Sequence, residues 1–358
     1  MKKLLIIVFA IICFEGNTQQ VEQIIFREKL FDFGDVDETK GSVNHEFVFT
    51  NNSGKSIKII SVDASCGCTT PGWSQNSIAQ GATGFIKASF DPKGRPGYFN
   101  KTLSVRTSLD NNPVILQIKG QVVDGKPETV TDFHVDDGNL YFKAKSFSFG
   151  TVYINRPSEQ KQFPVMNGGT VPIKFISVSA PSYMKVEMPA ELAPQEKGFI
   201  KISYDGKKKN QFGFASDNIQ ITTDDHGYEA KSFSVFASLE EYYVSPVGAE
   251  ATQVPTLFMK EQSIDLGSFR SGRPVNTSMV VINTGKKDLT IKSLQGNCSC
   301  ITAETEKNVV KPGDSTTLKI SFTPQKRGGT QQKAITVYSD DPRNPIQRLL
   351  VQAFIEED

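Results

Sequence analysis

The sequence is short of the residues on which most catalysis depends. It has three histidines, His45, His134 and His226, so a Ser/His/Asp or Cys/His arrangement has little to draw on. Gly-x-Ser-x-Gly, a phosphate loop and His-Glu-x-x-His are missing. The paired acids Asp224-Asp225 and Asp340-Asp341 fall in predicted turns, where solvation accounts for them. The chain reads as a non-enzymatic protein without a cofactor.

Charge of one sign is missing too. Taking Lys2, Lys3 and Glu15 from the 40 basic and 39 acidic residues leaves 38 of each beyond residue 18. A nucleic-acid binder carries a basic excess or stripe, so nucleic acid and anionic membrane are poor partners. The one basic run, Lys207-Lys208-Lys209, reads as the tip of a solvated turn.

Long apolar runs are absent apart from Leu4 to Phe14, which is shorter than the ~20 residues a membrane helix needs. That run follows Lys2 and Lys3 and precedes polar Glu15-Gly16-Asn17-Thr18-Gln19, the layout of a secretory leader. Residues 1–18 are read as a signal peptide. Cys13 raises a lipoprotein alternative, against which Ile12 is larger than the small residue usual before a lipidated cysteine. The expected location is the periplasm or cell envelope, with no transmembrane segment in the mature chain.

What the sequence does have is a repeat. Phe31-Asp32-Phe33-Gly34-Asp35-Val36 returns as Phe147-Ser148-Phe149-Gly150-Thr151-Val152 and as Ile264-Asp265-Leu266-Gly267-Ser268-Phe269. The three glycines stand 116 and 117 residues apart, each at the end of an alternating run that predicts a strand entering a turn. Asn51, Asn167 and Asn283 each close a strand and lead into a Gly-containing turn, where Asn and Gly tolerate positive φ. Gly84 to Pro92, Gly198 to Gly206 and Thr317 to Pro324 again match, with the period-2 pattern of half-buried strands. About seven short strands per ~100 residues, without a convincing helix, predict an all-β chain of three tandem Ig-like β-sandwiches. Their expected spans are 25–122, 138–243 and 256–356. Polar linkers at 123–137 and 245–255 limit inter-domain freedom without fixing it.

Four cysteines mark one spot in the outer copies, as Cys66-Gly67-Cys68-Thr69 and Cys298-Ser299-Cys300-Ile301. An offset of 116 places Ser182-Tyr183-Met184 there in the middle copy, so the sandwich does not require the cysteines. An exported protein favours a local disulfide within each pair, although closing a three-residue loop contributes only ~1.6 kcal/mol. Two thiolates at this spacing also suit Cu(I) or half of a zinc site, but no histidine or third cysteine recurs beside them. Thiol redox exchange and free buried thiols complete the alternatives. A bridge between the two motifs would contribute ~5 kcal/mol but needs the outer copies to touch at those spots. Trp73 is either a contact anchor for a partner or the cap of the first sandwich.

Phe31 to Val36, the turn Asn52-Ser53-Gly54-Lys55, Cys66-Gly67-Cys68-Thr69, Phe90-Asp91-Pro92 and the closing Gly120-Gln121-Val122 together resemble a bacterial envelope family of unknown function. Its domains are similar to Hydin-type and major-sperm-protein-type Ig-like folds. The resemblance covers Ile25 to Val122 most fully, Leu257 to Ile355 with Cys-Ser-Cys-Ile, and the middle copy only in frame. It implies the fold and export, and brings no activity. The expected role is to bind or scaffold proteins or glycans in the envelope; the alternative is a redox or copper-handling role at the two C-x-C motifs.

Overall fold

Alternation of apolar and polar residues governs the architecture. In Thr83–Phe90 every second side chain, through Ile86, Ala88 and Phe90, is buried while its neighbours are half-exposed. The computed structural model describes residues 23–109, 113–123, 133–158, 160–243, 253–270, 272, 274–324 and 328–356. The expected leader at 1–18, with Cys13, and most of both linkers lie outside these residues.

The first copy comprises β1 (Ile24–Phe26), β2 (Leu30–Asp37), β3 (Val43–Asn51), β4 (Ile59–Ala64), β5 (Thr69–Trp73), β6 (Thr83–Phe90), β7 (Gly97–Thr107) and β8 (Val114–Val123). One sheet has the order β1-β3-β6-β5 and the other β2-β8-β7-β4. They close on a core that includes Phe47, Phe49, Phe90 and Leu103. The middle and third copies repeat the plan, each as two sheets around its own core.

The repeated glycine does not end a strand as its sequence context suggests. β2 runs parallel to β8 and carries a register shift between Asp32 and Asp35, with Gly34 inside it at φ +63°. Ser146–Tyr153 and Ser263–Arg270 shift at the same place, with Gly150 at φ +63° and Gly267 at φ +71°. The motif is a β-bulge, and a side chain there would be strained.

The repeated asparagine is a second correction. Asn51, Asn167 and Asn283 are fully buried and none has positive φ. Each side-chain amide instead bonds across its turn: Asn51 Nδ2 donates to the carbonyls of Lys55 (2.7 Å) and Ile78 (2.9 Å), and Oδ1 accepts from Ser53 N (3.0 Å). Asn167 and Asn283 repeat the pattern. Asparagine is needed because it alone offers donor and acceptor at that reach.

Solvation does not explain the second acid of either pair, whereas Asp224 is exposed and Asp340 half-buried. Asp225 is buried and joins Lys231 Nζ at 2.7 Å. Asp341 is fully buried and accepts from the backbone of Leu257 (3.1 Å) and Arg343 (3.0 Å). Burial pushes its carboxyl up to about 6, against the pull of Arg343 and the backbone N–H groups. The lysine run is solvated at Lys207 and Lys208 but not at Lys209. Gly206–Lys209 forms one helical turn capped by Asp205, and Lys209 Nζ reaches Asp217 at 2.8 Å beneath Tyr183. Burial opposes the charge on Asp217, but bonds from Lys209, Tyr183 and Tyr204 outweigh it and hold its carboxyl below the usual range.

The three sandwiches interlock. Lys119 on β8, only 3% exposed, bridges to Glu240 of the middle copy and lies 3.5 Å from Asp32 of its own. Burial disfavours its charge, yet Glu240 and Asp32 hold the ammonium above its ordinary value. The bulges of these two copies meet beside it, where Thr151 Oγ1 donates to Asp32 (3.3 Å) and Ser148 Oγ to Gln121 (2.9 Å). First and third copies join through Ile115 N to Gln262 Oε1 (2.6 Å) and Gln117 Nε2 to the Ile346 carbonyl (3.2 Å). Middle and third join through Gln295 to the Phe212 carbonyl and a Phe212–Tyr338 ring contact at 5.4 Å. The copies are not independent beads, because charged and polar groups are buried between them.

Candidate functional site

The C-x-C motifs sit in the turn that leads into an edge strand. In the first copy the turn spans Cys66 to Thr69, closed by Thr69 N donating to the Cys66 carbonyl at 3.3 Å. Ile301 N to Cys298 O closes the third turn at 3.3 Å, and Met184 N to Pro181 O the middle one at 2.8 Å. Thr69 pairs with Phe90, Met184 with Tyr204 and Ile301 with Phe322. The middle counterpart of Cys66-Gly67-Cys68 is therefore Pro181-Ser182-Tyr183. The fixed offset of 116 that selected Ser182-Tyr183-Met184 is one residue out of register here.

The turn brings the Cα atoms of Cys66 and Cys68 to 5.3 Å and those of Cys298 and Cys300 to 5.2 Å, and each pair is joined by a disulfide. These separations lie well inside the range that a bridge permits. The two motifs are not bridged to each other.

Their surroundings differ. Cys66, Cys68 and Cys298 are half-buried, whereas Cys300 is buried in the third core. A Cβ on Gly67 would meet nothing within 4 Å. The residue beneath the turn is buried in all three copies, as Thr69, Met184 and Ile301. Only the first copy puts a hydroxyl there. Thr69 Oγ1 stands 3.7 Å from Cys66 Sγ and 4.0 Å from Cys68 Sγ. Disulfide sulfur carries no hydrogen, so the hydroxyl is the donor.

Trp73 lies at the end of β5, opposite Ile86, and packs half-buried against the first core. Among the described residues no group of three or more His, Cys, Asp and Glu stands together as a metal site. His45 stacks on Phe31 at 3.6 Å and contacts Glu28 at 3.0 Å, away from the cysteines. No helix among the described residues is long and apolar enough to cross a membrane.

The turns feed edges that are paired on one side only among the described residues. Cys68 O accepts from Asp91 N and Ser74 N donates to Phe85 O, so Thr69, Pro71 and Trp73 direct their backbone groups away from β6. Pro71 has no N–H to offer. In the third copy Cys300 O accepts from Thr323 N and Glu306 N donates to Thr317 O, so Ala303 points both backbone groups outward.

Two features escape a reading of the sequence. Thr69 looks like an ordinary strand residue, and its signal is the contrast with Ile301 across the repeat. Lys119 stands in Val114–Val123, where Gln117, Lys119 and Gln121 give a polar face to a strand otherwise apolar. That face is the inter-domain contact.

Comparison with solved structures finds likeness at low identity. A protein of unknown function from Porphyromonas gingivalis W83 is 20% identical, covering 61% of this chain and 100% of that one, with a TM-score of 0.45. The periplasmic chaperone SfaE is 9% identical over 61% of this chain and 100% of its own, at a TM-score of 0.25. The ASH/PapD-like domain 7 of human CEP192 is 11% identical over 33% of this chain and 96% of its own, at 0.26. Comparison with curated proteins finds no match. The model of one family matches residues 24–122 and again 257–355, the two copies that carry the C-x-C turns and together more than half of the chain. By that match the chain belongs to the family described as "Protein of unknown function (DUF1573)".

Proposed function

We propose that this protein is an exported, non-enzymatic scaffold that binds another protein of the cell envelope along an edge strand beside its C-x-C turns. The observation that carries this reading is the pairing of an interlocked body with open edges. A body whose first and middle sandwiches are tied by the buried Lys119–Glu240 bridge, and whose third is joined to both by Gln262, Gln117 and Gln295, presents those edges at set positions. Such a body binds without a large ordering cost. An edge with outward N–H and C=O groups recruits an extended segment of a partner by strand addition. The third copy's edge, Ile301–Thr305, offers this at Ala303, whereas Pro71 blunts the first. The half-buried ring of Trp73 is the corresponding contact in the first copy. The leader-like residues 1–18 and the disulfides support export, since such bridges persist in oxidising compartments.

A photoreactive residue at exposed Thr302 tests the reading in intact cells. A discrete protein adduct is expected. Adducts to glycan alone, or none from Thr302 and Trp73 alike, would overturn it. Copper handling is disfavoured because sulfurs bonded to each other offer no thiolate, and intact mass of the purified chain is expected to report two disulfides and no metal. Stoichiometric copper would contradict that.

A further inference from the structure

We infer that the two C-x-C turns have diverged in role: Cys66–Cys68 is a thiol–disulfide exchange site for a protein dithiol, and Cys298–Cys300 is a structural staple. This goes beyond scaffolding and stands on a different observation, the buried hydroxyl of Thr69. A hydroxyl beneath a turn is costly to bury without a partner. The other two copies fill the same position with Met184 and Ile301. Thr69 is 4% exposed, and its described side-chain partners are the two sulfurs, at 3.7 and 4.0 Å. A donor so placed stabilises negative charge on whichever sulfur leaves the bridge.

The sulfurs are also ordered for attack. Cys68 packs against the first core, while Cys66 is half-buried and outside that cluster. Space above Gly67 is open. A thiolate of the partner dithiol attacks Cys66 Sγ, forming the mixed disulfide and breaking the Cys66–Cys68 bond. Cys68 leaves as a thiolate beside the Thr69 hydroxyl. The partner's second thiol, deprotonated, then attacks the partner sulfur bonded to Cys66 and releases Cys66. Two electrons pass from the dithiol to the turn, the partner ends as a disulfide, and its two protons pass through solvent to Cys66 and Cys68. In the third turn Cys300 is buried and Ile301 offers no donor.

The test is exchange of the mature full-length chain with excess reduced glutathione, quenched by alkylation and mapped by peptide mass. Cys66–Cys68 is expected to open several-fold faster than Cys298–Cys300, with glutathione captured on Cys66. Thr69→Val is expected to slow that opening about fivefold, the worth of one ordinary hydrogen bond. Thr69→Ser keeps the rate, and Ile301→Thr accelerates the third turn. Equal rates for the two turns, capture on Cys68, or a folded Thr69→Val chain with an unchanged rate would overturn the inference. Dithiothreitol as the dithiol probe gives a second readout: one equivalent is oxidised by the Cys298→Ser/Cys300→Ser chain, and none would overturn it.

Discussion

The first and third C-x-C turns share a backbone and differ in what lies around it. Both close with the same hydrogen bond, at 3.3 Å, and both hold a disulfide. Around the first stand an open glycine, two half-buried sulfurs and a buried hydroxyl, ahead of an edge blunted by Pro71. Around the third stand a buried sulfur and Ile301, ahead of an edge with no proline. The middle copy, with Pro181-Ser182-Tyr183, makes the turn with neither cysteine. The turn is thus a fixed product of the sandwich. What varies from copy to copy is the side chains set on it and the edge that follows.

The largest expected effect comes from breaking the bridge between the first and middle copies. Lys119→Met leaves Glu240 buried without its partner, and a loss of about 3–5 kcal/mol is expected in urea unfolding. A loss below about 1 kcal/mol would mean that this bridge does not hold the first and middle copies together.

Acidity distinguishes the copies next. Asp341, fully buried in the third copy, has its carboxyl pushed up to about 6 from 3.8. Its contribution is therefore complete below pH ~4 and lost as pH rises through ~6, at most about 3 kcal/mol. Asp225 of the middle copy runs the other way. Burial opposes its charge, but Lys231 and Asn139 outweigh it and hold the carboxyl below the usual range, so its contribution is present above pH ~4 and lost on acidification. Hydrogen exchange resolved by copy, followed from pH 3 to pH 7, checks both signs.

Smaller effects sharpen the turns themselves. Ile301→Thr removes buried apolar surface and is expected to cost about 1–2 kcal/mol by thermal melting, whereas Thr69→Val costs less than about 1 kcal/mol. Replacing either cysteine pair by alanine is expected to cost no more than about 1.6 kcal/mol and to leave the fold intact. Unfolding of either double variant would contradict the lesson of the middle copy.

The frame of the molecule was legible from alternation and repeats, because a period-2 pattern carries its own burial. The reasons for single residues were less so. Gly34 belongs to a bulge and Asn51 to a buried amide hub, distinctions that depend on pairing partners far away in sequence. Spacing left the cysteine pairing open among a local disulfide, a metal site, redox exchange and free thiols, and the turn geometry selects the local disulfide. The contact of the Thr69 hydroxyl with the sulfurs was not legible, since a hydroxyl beneath a turn and one on a solvent face look alike in a strand. Lys119 was hidden for a related reason. A charged residue in a strand reads as surface, and only the docking of a second sandwich turns that surface into interior.

One body holds two unlike turns at fixed places, and small-angle X-ray scattering of the mature chain tests this most directly. A curve fitted by a single arrangement of three interlocked sandwiches, which opens in Lys119→Met, is the predicted result. A wild-type curve that requires three sandwiches moving independently would contradict it.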